Sequence, residues 1–113
     1  MKNIRLVINN NIQEKEKFFV KKELQCILNL YAQMVSNGSW KDYSLSLGIR
    51  EVSFDVYQRA SDKPFLRILK NLKPNYYNEK YLIKDKNGNI IKKSESLNQL
   101  IHKTSWNKLR LIK

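Results

Sequence analysis

The stretch SNGSWKDYSLSL, residues 36–47, is where the spacing of the apolar residues changes. Before it, apolar residues recur at steps of three and four, which predicts an amphipathic helix over residues 20–37. After it, Tyr43, Leu45 and Leu47 alternate with serines, which predicts a strand with one solvated face. The stretch therefore predicts a helix that leads directly into a sheet.

The predicted helix carries one apolar stripe, with polar residues mainly on the other side. A helix must bury such a stripe against something, so we expect it to pack on the sheet; a groove for a partner is the alternative. The stripe consists of Val20, Leu24, Ile27, Leu28, Tyr31, Met34 and Val35.

A structural corner is predicted between this helix and the first strand. Gly38 can take the left-handed conformation that ends a helix. Trp40 follows, where a large ring can cover the junction of helix and sheet. Asp42 is placed to accept hydrogen bonds from turn amides or from Arg50 or Arg59. The corner comprises Gly38, Trp40, Asp42 and Tyr43.

The period of two continues downstream. EVSFDVYQR (51–59) and FLRILK (65–70) each predict a strand. EKYLIKDKNGNIIKK (79–93) predicts a hairpin, because Asn87-Gly88 suits a tight turn between two apolar runs.

These patterns predict one domain over residues 1–113 of the α+β class. A long N-terminal helix packs on an antiparallel β-meander of four to five strands over residues 43–93. A short C-terminal helix follows over residues 95–103. Residues 1–17 are predicted to form either an edge strand or a tail.

The charge of the chain favours an anionic partner. Lys and Arg number 22 against 10 Asp and Glu, a net charge of +12, as in proteins that bind nucleic acid or acidic surfaces. The alternative is compositional: Lys, Asn and Ile accumulate in proteins of A+T-rich genomes, and lysine on a solvated surface is tolerated.

The single cysteine, Cys26, excludes an internal disulfide and a multi-cysteine zinc site. It fits a reducing cytoplasm, which is the predicted location, and we interpret it as a packed helix residue. No apolar run reaches 18 residues, so membrane insertion is not expected.

The candidate binding face comes from the strand register. With Val56 opposite Ile68, both facing the core, one outer face would gather aromatic and charged residues. Such a face can stack bases or anchor a protein partner. The alternatives are cross-strand stabilisation alone, or cover by the N-terminal residues. The face comprises Asp55, Tyr57, Arg59, Phe65 and Arg67.

No catalytic set is predicted. The one histidine, His102, has no visible partners, and no P-loop, Gly-rich dinucleotide turn or nucleophile motif occurs. We therefore expect no enzyme activity, cofactor, metal or small-molecule ligand. An enzyme would remain a hypothesis if a deep pocket gathered Asp, Tyr and Arg.

Two segments, residues 23–47 and 54–68, resemble a small alphaproteobacterial family known as domain of unknown function 2794. The resemblance covers about residues 19–101 and implies a small cytoplasmic bacterial protein without an assigned activity. Family members have a polar helix cap where this chain has Val20. The shared marks are Leu30-Tyr31, the corner Gly38, Trp40, Asp42 and Tyr43, the strand residues Phe54, Tyr57 and Arg59, and Pro64, Arg67 and Ile68.

Two functions remain open beside the enzyme hypothesis. The first is a non-catalytic protein-interaction module that binds a protein partner or self-associates as a homodimer. The second is nucleic-acid binding, of RNA more than of a specific DNA site, through the aromatic-arginine face. Family members are basic through arginine, which favours the second.

Overall fold

The computed structural model describes residues 17–59 and 63–106. Their order confirms the predicted α+β architecture of a helix, an antiparallel meander of five strands and a short helix, although the first helix, at 16 residues, is not long. The tail or edge strand predicted over residues 1–17 lies, apart from Lys17, outside the described residues. The elements are α1 (Lys21–Ser36), β1 (Asp42–Leu47), β2 (Glu51–Tyr57), β3 (Leu66–Asn71), β4 (Tyr81–Asp85), β5 (Ile90–Ser94) and α2 (Leu97–Lys103), with a 3₁₀ turn at Tyr77–Glu79.

The sheet has the order β1-β2-β3-β4-β5, with every neighbouring pair antiparallel. Alternate residues of its strands face the two helices and form the hydrophobic core. The predicted pairing of Val56 with Ile68 is wrong, because Val56 lies opposite Leu66 and Ile68 lies opposite Phe54. The shift is by two residues, so the side chains within β2 and β3 keep their predicted faces.

The face that α1 buries is rotated from the predicted stripe. Ile27, Leu30 and Met34 are buried against the sheet, and Leu30 was not part of the prediction. Leu28 and Val35, which were part of it, are exposed. The rotation leaves two apolar side chains of α1 uncovered on one flank.

A buried ion pair fixes the start of α1 on the sheet. The Nζ atom of Lys70, in β3, donates to Glu23 Oε1 at 2.8 Å and to the Phe18 carbonyl at 3.0 Å. The same carboxylate accepts from the Tyr81 hydroxyl and from the Val20 N–H at 2.8 Å. Glu23 therefore supplies one half of a capping box by accepting the Val20 N–H, and it satisfies a lysine on the core face.

The short helix α2 lies on the same face of the sheet as α1, at the end formed by β4 and β5. The Ser96 hydroxyl accepts from the Gln99 N–H at 3.3 Å, as predicted for its cap. Leu97, Leu100 and Ile101 are buried, and α2 packs on β5 and β4. The helices thus cover the sheet from β5 toward β2.

Candidate interaction surface

The predicted binding face is centred on an internally paired carboxylate. In the register of β2 and β3, Asp55 lies directly opposite Arg67 and is buried. Its Oδ1 atom accepts from Arg67 Nε at 3.0 Å and from the Ser53 hydroxyl at 2.7 Å, and its Oδ2 atom accepts from the Ser46 hydroxyl at 2.6 Å. One carboxylate therefore links three strands, and both of its oxygen atoms accept hydrogen bonds within the sheet.

The remaining residues of that face do not form one open platform. Tyr57 is half-buried, and its hydroxyl lies 3.0 Å from the Ser44 hydroxyl. Phe65 precedes β3 and is buried in the hydrophobic core, so its placement on the outer face is wrong. Arg59 is exposed in the chain beyond the end of β2. Partner binding by this face stays a prediction.

The corner residues occupy different environments. Gly38 has a φ of 83°, and the Ser39 N–H after it donates to the Met34 carbonyl at 2.9 Å, which closes α1. Trp40 is fully buried, whereas Asp42 is exposed and accepts from the Tyr43 N–H at 2.8 Å.

Arg50 cannot pair with Asp42 within the chain. Asp42 begins β1, whereas Arg50 lies in the turn after that strand. The length of six strand residues therefore separates them. The predicted pairing of Asp42 with Arg50 is wrong as a contact inside one molecule.

Aromatic rings join α1 to β1. The Tyr43 ring stacks on Phe54 with centroids 4.7 Å apart and meets Tyr31 edge-on at 5.0 Å. Burial raises the pKa of Tyr31, and the negative charge of Asp42 adds to this effect. These rings are the contact between α1 and β1, and Tyr43 is still exposed.

Beyond Tyr43, the helix side of β1 is uncovered. Leu45 and Leu47 lie opposite Phe54 and Val52 in the register, and the latter two have no solvent exposure. Leu45, by contrast, is 44% exposed and Leu47 is 71% exposed. The same face of the sheet is therefore fully covered at β2 and open at β1.

We call this open region the β1 surface. It consists of Tyr43, Leu45 and Leu47 from β1 and of Leu28 and Val35 from the exposed flank of α1. The alternation of β1 predicted a half-buried strand, but alternation does not tell an edge strand from a central one. For that reason the sequence did not reveal this surface.

The edge of β1 lacks the devices that usually protect an exposed strand. In the described part of the chain, β1 ends the sheet and has no neighbour on its outer side. Edge strands are commonly protected by lysine, proline or a bulge. Residues 42–49 contain no basic residue and no proline, in a chain with 22 Lys and Arg. Such an edge favours pairing with another strand.

An open cavity of about 510 Å³ lies between the start of α1 and the start of α2, beside the ion pair of Glu23. Cys26 lines it, with its Sγ atom 3.8 Å from Asn98 Oδ1. Burial raises the pKa of the Cys26 thiol, which keeps it protonated and poorly nucleophilic. The other residues that line the cavity include Lys22, Tyr81 and Glu95.

In the ranges 17–59 and 63–106, neither helix has the length and hydropathy needed to cross a bilayer. No curated protein and no solved structure matches the chain. A family model does match, over residues 17–101, which include every element from α1 to β5 and most of α2. The chain therefore belongs to the family described as protein of unknown function, DUF2794.

Proposed function

We propose that this chain is a non-catalytic protein-interaction module that binds its partner through the β1 surface. The observation that carries the proposal is the exposure of Leu45 and Leu47 opposite the fully buried Phe54 and Val52. An added strand would pair with the backbone of β1 and bury these side chains. Main-chain hydrogen bonds then give affinity, and alternate side chains give specificity.

The proposal includes a cytoplasmic location and no catalytic role. Two pairs of ionisable groups support the proposed lack of a catalytic role, because the charges in each pair neutralise one another. These pairs are Glu23 with Lys70 and Asp55 with Arg67. The unpaired Cys26 supports a reducing compartment.

The test is a lysine placed on the β1 surface. Leu45→Lys adds the charge that natural edge strands use to prevent pairing. Since Leu45 is partly exposed, the free energy of unfolding should change by no more than about 0.5 kcal/mol. The matched control is Ile90→Lys, because Ile90 is an exposed apolar residue on β5, the strand at the other end of the sheet.

Wild type and both variants would be immobilised and exposed to native lysate of the source organism. A specific partner should be retained by wild type and by Ile90→Lys but lost with Leu45→Lys. After purification, this partner should bind wild type and Ile90→Lys in isothermal titration calorimetry, and it should not bind Leu45→Lys. Self-association would be measured by light scattering. Binding that survives Leu45→Lys would contradict the proposal, as would a monomer that retains no protein.

A second candidate function, binding of single-stranded nucleic acid, is favoured by a loop at one end of the sheet. Tyr76 and Tyr77 are both strongly exposed there, and Lys73 precedes them. The Leu72 N–H donates to the Arg50 carbonyl at 2.8 Å, which holds this loop beside the turn between β1 and β2. Exposed rings among cations can stack successive bases.

Binding of a labelled oligouridine would be followed by fluorescence anisotropy. If this loop stacks bases, replacing either Tyr76 or Tyr77 alone by Ala should weaken binding by roughly 5- to 150-fold, from about 1–3 kcal/mol per base. Lys86→Ala, in the hairpin between β4 and β5, serves as a control for diffuse charge. Equal losses from the control and from the tyrosine variant would contradict a stacking site.

A further inference from the structure

We propose that the occupant of the β1 surface is a second copy of this chain, paired with β1 antiparallel about a two-fold axis at Leu45. The inference rests on the proposed function, because it identifies the partner at the same surface. In the resulting dimer, the two five-stranded sheets would form one continuous sheet.

The direction of the backbone groups supports this pairing. The Gly48 N–H donates to the Glu51 carbonyl at 3.0 Å, so Gly48 faces β2. Backbone groups of successive residues alternate between the two sides of an antiparallel strand. The backbone groups of Ser44 and Ser46 therefore point toward β2 as well. Those of Tyr43, Leu45 and Leu47 point away from β2, toward the open edge.

A two-fold axis at Leu45 uses all three outward-facing residues. Residues that lie opposite each other in an antiparallel pair share one face of the sheet. Leu45 would lie opposite Leu45 of the second copy, and Tyr43 opposite Leu47. Each of these pairs exchanges two hydrogen bonds between backbones and brings its side chains into contact on the helix side. The exposed Leu28 and Val35 flank the same face.

The charged residues at the start of β1 are complementary to those after its end, as a symmetric antiparallel pair requires. Lys41 and Asp42 stand at its start, and Arg50 and Glu51 stand just after its end. Antiparallel pairing places the start of one strand beside the end of the other. Asp42 then approaches Arg50 of the second copy, the arginine that it cannot reach within its own chain. Residues 43–49 between these ends are uncharged.

The net charge of +12 sets the expected salt dependence. Two such chains repel each other at long range, and added salt screens that repulsion. The dimer should therefore tighten as salt rises from 50 to 500 mM. Binding to nucleic acid weakens over the same range, so the sign of the effect separates the two kinds of partner.

Disulfide trapping tests the register directly. In a Cys26→Ser background, Leu45→Cys should link two copies, because residues paired across such an axis have Cα atoms about 5.5 Å apart, within disulfide range. Tyr43→Cys alone should not link, since its two copies would lie about 14 Å apart along the strand. An equal mixture of Tyr43→Cys and Leu47→Cys should give a linked heterodimer. Ile90→Cys is the control on β5.

Non-reducing gels and mass spectrometry would follow the linked product, and light scattering would measure the wild-type dimer with and without salt. The inference is overturned if Leu45→Cys links no more than Ile90→Cys, or if Tyr43→Cys links to itself as readily. A monomeric chain whose binding of another protein is lost with Leu45→Lys would overturn self-pairing and leave the proposed function intact. Failure of both experiments would overturn both proposals.

Discussion

The ion pair between Lys70 and Glu23 is the most testable feature of the core. Lys70 is 1% exposed, and its Nζ atom donates to Glu23 at 2.8 Å. Lys70→Met keeps an apolar chain of similar length and removes the cation. The Glu23 carboxylate, whose side chain is 12% exposed, then keeps only the Tyr81 hydroxyl and the Val20 N–H as donors. Breaking a buried pair in this way costs about 3–5 kcal/mol, mostly from the charge left without its partner.

The loss would be measured by urea unfolding, followed by circular dichroism and tryptophan fluorescence. With a slope of about 1.5 kcal/mol per molar urea, a loss of about 4 kcal/mol lowers the midpoint by roughly 2–3 M. A second change, Glu23→Gln, removes the orphaned charge and keeps an oxygen that can accept the Val20 N–H. The double variant should therefore be more stable than Lys70→Met alone.

The matched control is Lys92→Met, the same substitution at an exposed lysine of β5. Its free energy of unfolding should change by no more than about 0.5 kcal/mol. The reasoning would be refuted if Lys70→Met unfolded at the same urea concentration as Lys92→Met. It would also be refuted if Glu23→Gln made Lys70→Met less stable.

Three further changes test other parts of the fold. Trp40→Ala should cost about 3–5 kcal/mol in urea unfolding, because the buried ring packs on Tyr31 and Trp106, and Trp40→Phe should cost less; an unchanged midpoint would contradict a core role. Gly38→Ala should cost about 1–2 kcal/mol by the same assay, from its φ of 83° alone, because a Cβ atom there would meet nothing within 4 Å. The Cys26 thiol has a raised pKa, so its alkylation by iodoacetamide should reach half-maximal rate at a higher pH than that of glutathione.

The architecture was readable from the sequence because its signals are local. The change of period after residue 42, the glycine at position 38 and the Asn87-Gly88 turn each act within a few residues. The position of α1 on the sheet was not readable. Leu28 and Val35 fit the apolar stripe as well as Leu30 does, and the contact of Glu23 with Lys70 across 47 residues decides which face is buried.

The register and the site depended on information that periodicity does not carry. A shift of two residues keeps every side chain of a strand on its face. The alternation of apolar residues therefore could not distinguish the possible registers between β2 and β3. Phe65 stands before β3, outside the alternation, and is buried instead of joining the outer face. With Asp55 directly opposite Arg67, the predicted binding residues became mutual partners.

The same ion pair explains why β1 is open. Strands lie about 4.8 Å apart and a helix is about 10 Å wide, so two helices can cover about four of five strands. Since α2 packs on β4 and β5, the position of α1 determines which strand neither helix covers. Glu23 reaches Lys70 in β3 and Tyr81 in β4, which draws α1 toward the middle of the sheet. A helix placed over β1 would bury Leu45 and would separate Glu23 from Lys70, so this ion pair determines which edge of the described sheet is left open.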